Sequence, residues 1–470
     1  MTKRFTLGLL LAVCTVLALA VALTGSPRTE MGGSSGFTLL WGALWTIPFA
    51  FVVGLRPLPL RDTLLWGTSY SFWGWLIGPA TIAGTLAGRG PLWSIHDFSE
   101  LFPDLIAYLL FGMVLGAVYP ILYRAYIERQ ALRLPAQLRF AVIRGALAGA
   151  LVGLIFINRL PQIGLLPLPG MTAAATPPII FWLLSVAVGI VLSLIVVDSG
   201  ERAGVGLIRG MVYGLLWWLL VVLTLQPLIS GQKVAWTLKS AQPLTDNLLG
   251  LMLYSGILAL FYQLITRLQA ALFADDVGLS ERDEGIGARN LRALGGGVVG
   301  SLFGGAAFTF VMAQVGLLPI IAPILGGSGV WFGLLVHFII SVIIGGMYGL
   351  LFAQAIDSYS AAIGWGAAYG LFWWIFGPIT LLPLLLGKSG ALTAGAALAA
   401  YPPSFLGHIA YGVVTAMYFF WLEQRRKRQS AANQSPIPST LLVQATPAQS
   451  PLWILLMLFV VIVPLLLSPS

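Results

Sequence analysis

WGTSYSFWGWLIGPAT, residues 66–81, returns as RGMVYGLLWWLLVVLT at 209–224 and as WGAAYGLFWWIFGPIT at 365–380. Aligned without gaps, the three stretches share four columns: Gly67/Gly210/Gly366, Tyr70/Tyr213/Tyr369, Trp75/Trp218/Trp374 and Thr81/Thr224/Thr380. The first and third also share Trp66/Trp365 and the pairs Gly78-Pro79/Gly377-Pro378. Each copy lies inside a hydrophobic segment. Recurrence of this kind marks a chain built from one repeated supersecondary unit, and here the unit belongs in a membrane. On a regular helix the glycine, tyrosine and threonine columns fall on one stripe and the tryptophan points away from it. Small residues on such a stripe let helix backbones approach closely. The Gly-Pro pairs predict a weakened, bent backbone ladder in the first and third copies. Val221-Val222 in the second predicts a straighter helix.

Working outward, composition agrees with a bilayer setting. The chain is 58% hydrophobic and 9% charged, with mean hydropathy +0.93, where soluble domains carry about 25% charged residues. Apolar runs long enough to cross a hydrocarbon core of about 30 Å recur throughout, and the short alternating segments of a membrane barrel are absent. The expected fold is an all-α polytopic transmembrane bundle of about thirteen helices. These lie near 5–24, 37–55, 62–86, 104–124, 139–158, 177–198, 205–226, 247–267, 293–315, 329–353, 360–386, 402–422 and 452–468. The first follows Lys3-Arg4 and is too long for a signal-peptide core, so it reads as an uncleaved helix. Grouped in fours, the helices give three repeat units at 1–127, 138–272 and 290–424. An even number of spans per unit makes the repeats parallel. A polar, proline-bearing stretch at 425–451 reads as a flexible cytoplasmic tether to a final transmembrane helix at 452–470. That helix either docks in cis or contacts a membrane-protein partner.

Basic residues are retained on the cytoplasmic side. With the N-terminus inside, only Arg28, Arg89, Arg159, Lys233, Lys239 and Lys388 of the 25 basic residues fall outside. The C-terminus is then external. The net charge of +9 reflects these loops, which read as retention signals and anionic-lipid contacts rather than a nucleic-acid surface. The single cysteine excludes an intramolecular disulfide and any multi-cysteine metal site.

The third unit carries the candidate chemistry. His337 and His408 lie just inside the outer ends of their helices, at a depth of about 9–14 Å. Ionisable residues at such depth are costly and face a bundle interior or a cavity. Histidine carries a proton near neutrality, or ligates metal or haem when neutral. Tyr369, Trp373, Thr380 and Lys388 complete a polar-aromatic candidate site for protons or a small solute. The alternative reading has neutral histidines hydrogen-bonded between helices. A haem-binding redox module ranks third, without a haem-attachment cysteine motif. A weaker, outward-facing set, His96, Glu100 and Asp104, has four-residue spacing suited to a divalent metal. Asp97-x-x-Glu100 there also reads as a capping box, with Pro103 at an early helical position. Phosphate loops, zinc motifs and serine-triad signatures are missing, so no residue is assigned to catalysis and no cofactor is expected.

From His337 to Glu423 the third unit resembles the YagU-like family of small bacterial inner-membrane proteins. The carrying residues are His337-Phe338-Ile339-Ile340-Ser341, Tyr348, Gly364, Gly366, Pro383, Ser404-Phe405-Leu406-Gly407-His408-Ile409, Trp421 and Glu423. The resemblance implies a bacterial-type inner membrane and a link to acid tolerance, in a family whose molecular activity is undefined. This chain departs by being triplicated and by having no histidines at the matching places in the other two units. The expectation is a non-enzymatic, multi-pass protein that conducts or senses protons or a small polar solute. The alternative is a structural or assembly subunit, and oligomeric state stays open.

Overall fold

The computed structural model describes residues 3–13, 35–129, 138–158, 160, 176–196, 202–273, 285–382, 394–432 and 456. All the regular structure among them is helical. The long helices are α1 (3–13), α2 (Ser35–Thr46), α3 (Leu60–Ile77), α4 (Phe102–Leu122), α5 (Leu138–Ile155), α6 (Pro178–Val196), α7 (Ala203–Trp217), α8 (Thr245–Phe273), α9 (Ile286–Gln314), α10 (Gly329–Phe352), α11 (Tyr359–Trp374) and α12 (Ala394–Ala432). Eight helices among the described residues are long and apolar enough to cross a membrane, and the chain is a multi-pass membrane protein. They are α4 to α10 and α12, several of them continued by short helical extensions. The expected thirteenth helix lies outside the described residues except for Leu456, as does the tether beyond Ala432. The first eight residues assigned to that tether instead continue α12.

Helices α3 and α11 fall outside those eight because glycine, serine and tryptophan dilute their hydropathy. Both pack largely against protein, as α4, α7 and α8 also do. Most of α11 is buried, including Trp365, Tyr369, Trp373 and Trp374. Small residues provide the close approach. A methyl group added to Gly67 would stand 2.6 Å from the Gly116 nitrogen of α4. At Gly210 and Gly366 it would stand 2.7 Å from the Cβ of Ala259 in α8 and of Ala416 in α12. One column of the alignment thus seats α3 on α4, α7 on α8 and α11 on α12. The preceding pairs use the same device: Gly145 meets Gly189 between α5 and α6, and Gly297 meets Gly345 between α9 and α10.

The described residues divide into two compact bodies. The first holds those within Met1–Asp198 and Val212–Leu251. In it Leu7 and Leu11 of α1 pack on Phe49, Leu115 and Tyr119, α3 packs on α4, and α5 packs mainly on α6. The second holds those within Ser199–Met211 and Met252–Val443. There α9 packs against both α10 and α12, and α12 against α11.

All three quoted stretches pass from α- into π-helix near their ends, at Gly78–Ala83, Trp218–Leu225 and Ile375–Leu381. Proline explains two of these, since Pro79 and Pro378 lack the N–H that the α ladder needs. The second copy departs from the straight helix expected of Val221-Val222. Its threonine supplies the reason. Thr224 Oγ1 donates to the Leu219 carbonyl five residues back, at 2.8 Å, and Thr81 does the same to Leu76, also at 2.8 Å. A hydroxyl reaching back five residues stabilises the wider turn without proline. Each threonine also accepts an indole N–H twelve residues on, from Trp93 at 3.1 Å and Trp236 at 2.9 Å. The side chain of Thr380 is outside the described residues.

Two glycine substitutions in one body separate close packing from helix propensity. Gly366→Ala should lower resistance to thermal unfolding by about 1–3 kcal/mol, as overpacking does. Gly295→Ala, which has open space around the added methyl, should leave stability unchanged or raise it by up to about 1 kcal/mol. Equal effects would contradict the packing role of the glycine column.

Candidate functional site

Three helices of the second body bring the two histidines together. His337 stands on α10, buried, and its Nε2 donates to the Gly305 carbonyl of α9 at 3.0 Å. His408 stands on α12, half-buried, and its Nδ1 donates to the Ser404 carbonyl one turn earlier at 2.7 Å. A carbonyl can only accept, so these bonds fix which ring nitrogen carries the proton in each neutral imidazole. His337 Nδ1 and His408 Nε2 remain as lone-pair acceptors, with no hydrogen bond among the described residues. Phe308 of α9 meets both rings edge-on, with centroids 5.4 Å from His337 and 4.6 Å from His408. Both imidazoles thus lie against one phenyl ring.

Helix α11 closes the site from another side. Gly370 packs on the His408 backbone, and a methyl on Gly377 would lie 3.9 Å from His408 Nε2. The glycine of the Gly-Pro pair, in the π-helical segment, thus faces the free nitrogen of one imidazole.

The other proposed site residues separate. Tyr369 donates to the Ile344 carbonyl at 2.8 Å, two helical turns along α10 from His337. Trp373 stands one turn further along α11, edge-on to Tyr369 at 6.1 Å. Both belong to an aromatic cluster. Tyr348 is its centre, 5.2 Å from Tyr369 and 5.9 Å from Phe419. An equivalent trio exists in the first body, where Phe49 lies 5.2 Å from Tyr70 and 5.7 Å from Tyr119. Lys388 lies outside the described residues, and so does the side chain of Thr380.

The single stripe drawn through the repeated columns does not survive. Gly67 faces α4, while Tyr70 turns to α2 and donates to the Trp45 carbonyl at 2.8 Å. Tyr369 spans the same 25 residues to Ile344, but Tyr213 reaches the Arg61 carbonyl at 3.3 Å instead. Thr81 and Thr224 bond their own backbone, because the π turn rotates them away from where an α-helix would point. Trp75, Trp218 and Trp374 are all buried. Trp75 lies against Phe98 of the short helix before α4 at 5.4 Å, and Trp374 against Phe405 of α12 at 5.5 Å. Trp218 donates to the Leu244 carbonyl just before α8 at 2.9 Å.

His96, Glu100 and Asp104 do not gather. A short helix, Ile95–Glu100, ends at Leu101, and α4 begins at Phe102, so the four-residue spacing spans a break. His96 is exposed and Asp104 buried. No group of three metal-ligating side chains occurs among the described residues. The capping box lies three residues earlier than expected, between Ser94 and Asp97. Sequence reasoning further missed two buried ionisable residues, Asp62 and Arg209, and assigned the buried Asp104 to an outward-facing set. Arg209 had a signal, since it occupies the column of Trp66 and Trp365. Asp62 had none beyond its neighbour Arg61, 3.8 Å away.

No family model, no curated protein and no solved structure matches this chain.

The Ser94 hydroxyl and backbone N–H both bond Asp97, at 2.6 and 3.0 Å, and hold its carboxyl below the usual carboxylate range. Because the folded pKa is the lower one, the cap is complete above about pH 4 and is lost as pH falls through the depressed value. Hydrogen exchange at residues 95–98 should therefore quicken on acidification, and Ser94→Ala should give the fast exchange already at neutral pH. A variant with unchanged protection would remove the cap from the account.

Proposed function

We propose that the chain is three parallel four-helix repeats with a thirteenth helix, its N-terminus on the cytoplasmic side of a bacterial-type inner membrane. The matching π segments, Thr–Trp bonds and aromatic trios support the repeat. We further propose that the third repeat conducts or senses protons, or binds a small polar solute. The carrying observation is the pair of imidazoles on Phe308, each anchored by one N–H and each keeping a free lone pair. A neutral imidazole so anchored takes a proton on its free nitrogen and returns it without losing the anchoring bond. Tyr369, Trp373 and, from the sequence, Thr380 and Lys388 are assigned to its surroundings. No catalytic residue or resident cofactor enters this reading, and kinship of the third repeat to the YagU-like family is part of it.

Proteoliposomes under an imposed pH gradient test the proposal. Wild type should acidify, and a folded His337→Leu/His408→Leu variant should not. Undiminished flux in the variant would refute the site.

A second reading, a structural or assembly subunit, draws on α5 and α6. They pack mainly on each other and leave Leu147, Leu154, Ile155 and Leu183 exposed. In that case a membrane-protein partner should co-purify and be lost when residues 430–470 are deleted. A chain that purifies alone from its native membrane would count against it.

A further inference from the structure

At the end of the second body where α9 begins and α12 leaves its apolar stretch, a groove of about 720 Å³ opens between α12 and the start of α11. Its walls include Ser358, Tyr359, Phe420, Trp421, Arg425 and Arg428. We infer that this groove binds the headgroup phosphate of an anionic phospholipid.

The four-residue basic run Arg425–Arg428 does not act as one patch. Arg426 pairs with Glu423 at 3.3 Å, and Glu423 also meets Arg292 at 3.6 Å, so the Arg426 guanidinium is engaged by a carboxylate on this side of α12. Arg425 and Arg428, three residues apart and both exposed, share the other face and line the groove. Neither pairs with a carboxylate among the described residues. Arg425 is held over the Trp421 ring at 5.5 Å, which fixes its guanidinium without discharging it. Guanidinium suits a phosphate because its fork of donors matches two oxygens at once.

The opposite wall adds to this. Ser358 caps α11, accepting from the Ala361 nitrogen at 3.2 Å, and the positive end of that sixteen-residue helix faces the same space. Tyr359 is exposed there and packs edge-on against Phe420 at 4.8 Å. Tyrosine and tryptophan with basic residues at a helix end are the usual furniture of the headgroup level.

Two further residues select a lipid over a free anion. One turn into the apolar part of each wall, on the faces of Tyr359 and Trp421, stand Ile363 and Met417, both exposed. An acyl chain lies against them while its phosphate reaches the arginines. Free phosphate uses only the upper half.

Native mass spectrometry of the full-length protein, delipidated and then given phosphatidylglycerol or phosphatidylcholine of matched chains, reads this directly. Wild type should retain phosphatidylglycerol preferentially. Arg425→Gln/Arg428→Gln should weaken that retention by roughly thirtyfold, the loss of two arginines from an anionic surface. Arg426→Gln should leave it unchanged, and Arg425→Lys/Arg428→Lys should keep most of it in a folded protein. Equal retention by the double glutamine variant, or of both lipids by wild type, overturns the site. Displacement of phosphatidylglycerol by millimolar inorganic phosphate alone also overturns it, in favour of a soluble anion. None of these outcomes depends on proton flux.

Discussion

Within a bilayer, apolar side chains gain nothing by leaving lipid for protein, so helices associate only as closely as their backbones allow. The glycines between α3 and α4, α7 and α8, and α11 and α12 satisfy that constraint. Gly412 and Gly366 illustrate how far it goes, since each sits against the other's carbonyl with no room for a methyl. Once these backbones touch, neighbouring positions are committed. Tyr369 must find the Ile344 carbonyl across to α10, and Trp374 must fit beside Phe405. The imidazole site inherits its position from the same contact, because Gly370 rests on the His408 backbone.

Polar atoms in the bundle are handled mainly by main-chain carbonyls. His337, His408, Tyr70, Tyr369 and Trp218 all donate to one, and Tyr411 does so to Ser341 at 2.7 Å. Hydrocarbon offers no water to finish such bonds. Side-chain pairs are few, and where two occur, Thr81 with Trp93 and Thr224 with Trp236, they fasten a π-helical end to the loop that follows. The hydroxyl also serves its own backbone, so one residue both shapes the helix end and anchors the loop.

Hydropathy and glycine spacing made the helices and their close faces legible, because both depend on residue size and polarity alone. The interrupted α ladder at the Gly-Pro pairs was readable for a related reason: proline's missing N–H acts locally. The π segment of the second copy was not, since nothing in Val221-Val222 announces a threonine bonding five residues back. Nor was the partner of Tyr213, because a buried phenol takes whichever carbonyl packing presents. The two histidines stood out as rare ionisable residues, and their spacing from helix ends placed them at one depth. The His337 anchoring bond and the intervening Phe308 required the α9 contacts, which no pattern in α10 or α12 encodes. The metal reading of His96, Glu100 and Asp104 failed at Leu101, where a helix break turned regular spacing into separate directions.

A π-helical turn holds about one residue more than an α-helical turn. Everything beyond it is therefore turned by roughly 100° relative to the uninterrupted helix. In α11 this divides the chain into two independently indexed halves. The inner half is bound to the register that Gly366 and Gly370 dictate. The outer half, starting at Ile375, is free of it, so insertion or loss of a single residue there re-aims Gly377 and its neighbours around the imidazoles while the glycine seam stays shut. A membrane helix of this form can change what it presents at its far end without renegotiating how it is held.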